Sequence, residues 1–123
     1  MEAEIITGPL FVQGKPRTYG DRKTEEPWKT KISNEIRTKW GTRKPVREKV
    51  QVDLKFYILR DLDLDNLIKP CIDSMGNALF ERRKGRSSPW DTEDTWVWKI
   101  IAEKVEVTNE NDEGVEITIK RYL

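Results

Sequence analysis

Val50-Gln51-Val52-Asp53-Leu54-Lys55-Phe56-Tyr57-Ile58 runs almost directly into Asp61-Leu62-Asp63-Leu64-Asp65-Asn66, and from there into Leu67, Ile68, Cys71, Ile72, Met75 and Leu79. The first segment alternates apolar and polar residues with the period of a strand; the last repeats its apolar residues with the period of a helix. A strand therefore switches to an amphipathic helix across an acidic joint. Asp65 or Asn66 is placed to cap that helix. Pro70 is expected in its first turn, where a missing N–H costs least.

The flanking sequence supplies the rest of the fold. Residues 4–12 read as a strand, broken or at a sheet edge near Gly8-Pro9 because proline cannot donate to a ladder. Residues 13–24 read as a loop. Trp28, Ile32, Ile36 and Trp40 then recur every fourth residue from Pro27 onward, a helical stripe stopped by Gly41. That stripe is read as core rather than as a base-stacking platform. Residues 81–93 form a basic loop containing Ser and Pro. Residues 96–107 carry Trp96, Val97, Trp98, Ile100 and Ile101 on both faces and are expected to form a central strand. Asn109 to Gly114 turns the chain, and Val115, Ile117 and Ile119 alternate in a last strand. The order predicts a small single α+β domain over residues 1–123, with one mixed sheet and two main helices packed on one face.

Composition narrows the chemistry. The 123 residues hold no histidine, so no side-chain imidazole serves as base or ligand, and one cysteine, so no internal disulfide or Cys-rich zinc site forms. Cys71, at helical spacing, reads as a buried thiol. No apolar run approaches the ~20 residues of a membrane span and no signal peptide opens the chain, so the expected location is the cytoplasm, away from membranes. The net charge of +1 conceals segregation. Residues 37–49 carry Arg37, Lys39, Arg43, Lys44, Arg47 and Lys49 against Glu48 alone, and Arg82, Arg83, Lys84 and Arg86 form a second basic run. Residues 103–116 hold six acids against one base. Such segregation makes a local positive surface that attracts polyanions, or a solvated face that binds nothing.

Asp61, Asp63, Asp65 and Asp73, with Lys69, fall within thirteen residues. Carboxylates this close repel one another, and a hard divalent cation such as Mg²⁺ is the natural counter-charge. Asp63, Asp65, Lys69 and Asp73 can share one cleft, and the Asp91-Thr92-Glu93-Asp94 run supplies a further acid. Carboxylates from two elements plus a lysine suit metal-dependent phosphodiester hydrolysis. A calcium loop of the EF-hand kind fails, because counting from Asp61 its sixth position is Asn66 and its twelfth Ile72. A structural reading stays open: Asp65 as cap, Lys69 and Asp73 as a surface ion pair, the rest solvated.

The pattern Asp63-Leu64-Asp65-Asn66-Leu67-Ile68-Lys69-Pro70-Cys71-Ile72-Asp73, followed after a helix by Glu93-Asp94 leading into a strand, resembles the signature of the RusA family of Holliday junction resolvases. Residue-level support spans residues 63–98. The resemblance implies a homodimeric, Mg²⁺-dependent endonuclease, with Mn²⁺ as a substitute, that resolves four-way DNA junctions by paired symmetric nicks. It implies Asp63, Asp65 and Asp94 as metal-binding acids and Lys69 as the catalytic lysine, with Asn66 and Asp73 in support. Loop 81–92 is longer and more basic than the family's usual connection, which leaves Asp91 or Glu93 as substitutes for Asp94. Arg43, Lys44, Arg47, Arg82, Arg83, Lys84 and Arg86 would contact DNA phosphates. The competing readings are a non-catalytic junction- or nucleic-acid-binding protein with a structural or vestigial acidic site, and a phosphatase acting on a small substrate.

Overall fold

In the computed structural model, which describes residues 3–41 and 43–123, two strand–helix units are followed by two further strands. They are β1 (Ile5–Gln13), α1 (Arg22–Trp40), β2 (Val50–Ile58), α2 (Leu64–Leu79), β3 (Val97–Glu106) and β4 (Gly114–Arg121), with short 3₁₀ turns at Asp94–Trp96 and Glu110–Asp112. The strands form one sheet in the order β1-β4-β2-β3. β4 runs antiparallel to β1 and β2, and β2 runs parallel to β3, so the sheet is mixed as expected. Residues 1, 2 and 42 lie outside the described residues.

Alternation in β2 does what its pattern dictates: Val50, Val52, Leu54, Phe56 and Ile58 are buried, while Gln51, Asp53, Lys55 and Tyr57 are not. They meet Val115, Ile117 and Ile119 of β4, and the apolar stripes of the helices close over them. Trp28, Ile32 and Ile36 come from α1, and Leu67, Cys71, Met75 and Leu79 from α2. Trp28 is core, as its spacing predicts; Trp40 is only partly buried and carries the Arg43 guanidinium 4.9 Å from its ring centre. The Cys71 thiol is buried, and burial pushes its pKa up.

Three expectations are corrected. α1 begins at Arg22 rather than Pro27, which places Glu25 in its first turn and Pro27 inside it. α2 begins at Leu64 with Asp63 at the N-cap position, so neither Asp65 nor Asn66 caps it, and Pro70 falls mid-helix. β3 is an edge strand bonded to β2 alone, not a central one. Its apolar residues on both faces are therefore left in solvent: Trp98, Ile100 and Ile101 are all exposed. β1 forms the opposite edge, and its pairing with β4 shifts register around Gly8-Pro9, in keeping with the break expected there.

Candidate functional site

The acidic joint sits where β2 ends and α2 begins. Asp63 takes the N-cap position with extended backbone angles, and its carbonyl accepts from Leu67 N–H at 3.2 Å, but its side chain makes no cap hydrogen bond. Asp65 lies in the first turn of α2. Both are exposed, and among the described residues neither carboxylate has a hydrogen-bond or ion-pair partner. Asp61 is different. Lys104 of β3 donates to it at 2.6 Å, and this hydrogen bond and charge hold the Asp61 carboxyl below its ordinary range.

Pro70 shapes this end of the helix. Its missing N–H leaves the carbonyl of Asn66, four residues back, without its helical partner. The backbone N–H of Tyr19 fills that vacancy at 2.9 Å. A residue of the loop before α1 is thereby fixed against the motif, and Asn66 acts through its carbonyl rather than as a cap.

Lys69 stands one turn on from Asp65, with 47% of its side chain exposed, and donates to Asp73 at 2.6 Å. Asp73 is buried and also lies 3.6 Å from Lys29 of α1; Lys29, buried too, lies 3.7 Å from the buried Glu25. Charges thus alternate along a line from Glu25 through Lys29 and Asp73 to Lys69. The Lys29 ammonium also rests 4.5 Å from the centre of the Trp90 ring. Partial burial pulls the Lys69 pKa down, but the hydrogen bond and charge of Asp73, with the charges of Asp94 and Tyr19, outweigh it and hold it above the ordinary lysine range. Lys69 is therefore a fixed cation at neutral pH.

The basic loop brings the last acid into place. It is closed by a bridge between Arg82 and Thr92 and by hydrogen bonds from Arg83 N–H to Asp91 C=O (3.0 Å) and Glu93 N–H to Glu81 C=O (2.9 Å). Thr92 is buried against Gly76 of α2: a Cβ built on Gly76 would lie 2.1 Å from the Thr92 hydroxyl oxygen. Only glycine lets the loop approach so closely. Asp94 then opens the 3₁₀ turn before β3, 3.5 Å from the Arg83 guanidinium. Asp91 lines a cleft with Tyr19, Lys29, Lys69, Asp73 and Trp90, while Glu93 is partly buried.

Asp63, Asp65 and Asp94 supply only hard oxygen donors, which suits Mg²⁺. Among the described residues, however, no three carboxylates stand close enough together to close a metal site. Asp63 and Asp65 are unencumbered, whereas Arg83 holds Asp94.

The two basic runs come together where residues 46 and 47 meet residues 79 and 81. Val46 N–H donates to Leu79 C=O at 2.8 Å, and Arg47 forms an ion pair with Glu81, so residues 43–49 lie beside the start of the basic loop. Arg82 bonds the carbonyl of Ser87 at 2.9 Å and thereby braces the loop. Arg43, Lys44, Lys84 and Arg86 are exposed.

Sequence reasoning did not single out Tyr19, Glu25, Lys29, Trp90 or Gly76. Glu25 and Lys29 are four apart, a signal of one helical face, but starting α1 at Pro27 removed Glu25 from it. No family model, curated protein or solved structure matches the chain.

Proposed function

We propose that the chain is a RusA-like, Mg²⁺-dependent endonuclease that cuts four-way DNA junctions as a homodimer. One observation carries the reading. Asp63 and Asp65 stand exposed and unpartnered at the joint between β2 and α2, and on the same helix Lys69, one turn on from Asp65, is held in place by a line of buried charges. Folding gains little from two exposed, unpartnered carboxylates, so this reading places their value in what they bind. Mg²⁺ held there would neutralise them, polarise a phosphodiester and supply hydroxide from bound water. Lys69, protonated and oriented by Asp73, suits stabilisation of charge on the phosphoryl oxygens and is unsuited to removing a proton. Arg43, Lys44, Lys84 and Arg86 are exposed within the two basic runs, and several exposed cations suit a polyanion better than a small substrate.

The Arg83–Asp94 pair favours a second reading, a junction-binding protein that does not cut, because it engages the third acid with a cation of the protein itself. A single assay separates the readings: labelled four-way junction and linear duplex are each incubated with the protein in Mg²⁺, in Mn²⁺ and in chelator. Metal-dependent nicks confined to the junction support the nuclease. Binding without cleavage in either metal supports the second reading, and equal cutting of both DNAs removes junction selectivity.

A further inference from the structure

We infer that β3 is the surface on which a second copy of this chain docks, extending the sheet across a twofold axis at Ile101. The inference takes from the preceding proposal only that the working unit is a homodimer; the surface and register are argued from β3 itself.

An edge strand offers unpaired N–H and C=O groups to any strand that approaches, and folded proteins blunt such edges with prolines, bulges and short lengths. β1 is protected in this way by Gly8-Pro9 and by the register shifts around it. β3 is not: it runs for ten residues without proline, and its register with β2 is unbroken from Lys99 to Glu106. It is also paired in parallel, and parallel strands are ordinarily covered. Yet Ile100 is 41% exposed, Ile101 49% and Trp98 56%.

The occupant follows from the sequence of the strand. Residues directly opposite in an antiparallel pair share a face, while consecutive residues alternate. A twofold axis normal to the sheet can therefore pass only through a residue facing its own copy. Centred on Ile100, Lys99 would face Ile101; centred on Ala102, Ile101 would face Glu103. Centred on Ile101, the central five residues match: Lys99 faces Glu103 twice over, Ile100 faces Ala102 twice over, and Ile101 meets itself, while one step further out the Trp98 ring faces the Lys104 ammonium, a cation–π rather than an apolar pair. Lys99-Ile100-Ile101-Ala102-Glu103 is in effect a charge-complementary palindrome. Glu103 is half exposed and, among the described residues, is engaged only by Lys55, at 3.7 Å, which leaves it open to a lysine from the other side.

The geometry has a consequence for the acidic joint. A twofold axis normal to the sheet keeps the α2 helices of both copies on one face, giving two like clefts on a common side. A twofold-symmetric branched DNA lying against that side would meet both.

The test uses the full chain in sedimentation velocity and native mass spectrometry. The wild type should dimerise at micromolar concentration. Lys99→Glu alone sets two carboxylates together at each facing pair, and Glu103→Lys alone sets two ammonium groups together, so each should weaken association about tenfold or more. Mixed one to one, the two variants present opposite charges at both pairs and should recover a dimer of mixed mass. Both substituted positions are exposed, and circular dichroism of each variant checks the fold. A wild type that stays monomeric at 100-fold higher protein concentration, single variants that dimerise like the wild type, or a mixture that stays monomeric each overturns the inference. A dimer built on another face would leave the nuclease reading standing, whereas a β3 dimer that never cuts a junction would do the reverse.

Discussion

Lys69 donates to Asp73 at 2.6 Å across one turn of α2, so a half-exposed ammonium is tethered to a buried carboxylate. The two ends are unequal. Asp73 also balances the buried Lys29, and replacing it with Ala should cost about 3 kcal/mol, since removing one partner of a buried pair strands the other. Lys69→Met should cost less than about 1 kcal/mol because water screens its exposed side. The pH dependence has a definite sign. The folded-state pKa of Lys69 is raised, so its contribution is full below the unfolded value of roughly 10.4 and is lost as pH climbs through the folded one. Urea melts of wild type and Lys69→Met should therefore differ by a constant amount from pH 6 to 9 and converge in stronger alkali. A difference that instead grows with alkalinity would contradict the assignment.

Gly76→Ala should destabilise by about 1–3 kcal/mol, because its new methyl meets the Thr92 hydroxyl oxygen at 2.1 Å and must push the basic loop off α2. Thr92→Ala removes that oxygen and leaves a Cβ at 3.3 Å. The double variant should accordingly be more stable than the two single losses added together. Thermal melts of the four proteins measure the coupling; strict additivity would mean that the loop does not lean on Gly76.

These contacts mark where the sequence was legible. β2 and α2 could be read because their periods are local, and the exposed acids between them follow from a motif within one segment. β3 was misplaced because apolar residues on both faces are the signature of a central strand and equally of an edge that something else covers. Pro70 was misplaced by a sound rule met in an unforeseen way: its orphaned carbonyl is satisfied by Tyr19, from an element far off in sequence. The Glu25–Lys29–Asp73–Lys69 line crosses two helices, and spacing within either one shows only half of it. The pairing of Arg83 with Asp94 depends on how the loop folds back, which composition does not encode.

Cys71 offers a probe of the core behind the site. It is buried, and burial raises its thiol pKa, which removes the thiolate that alkylating reagents attack. Iodoacetamide at pH 8 should leave the native protein unmodified for hours and label it fully in denaturant. Rapid labelling of the native protein would show that α2 opens readily.

DNA binding should fall steeply with salt, because each phosphate contact by Lys or Arg releases condensed counterions. Reversing Arg43, Lys44 and Arg47 together should weaken binding to all junction sequences alike and flatten the salt slope. Lys84→Glu with Arg86→Glu should act in the same direction, since Val46 and Arg47 anchor the first run beside the second. If the first set changes nothing and the second abolishes binding, the DNA path is confined to the loop.

Asp63→Asn, Asp65→Asn and Asp94→Asn distinguish a metal site from a helix terminus. Asp63 makes no side-chain cap bond, so Asn there should leave the melting temperature within a degree or two of the wild type. At Asp65 only the helix-dipole interaction is lost, about 0.3–1 kcal/mol. Asp94→Asn loses the partly exposed pair with Arg83, again a small term. Each substitution should nonetheless abolish cleavage, because Asn keeps the shape but removes the anionic oxygen a hard cation needs. Junction affinity measured in chelator should hold or rise, since a negative charge facing the phosphates has gone. Binding and melting curves like those of the wild type, together with lost cleavage, would place the three acids in the chemistry. Near-normal cleavage by Asp65→Asn would return that residue to an ordinary first-turn acid, and the proposed metal site would fall with it.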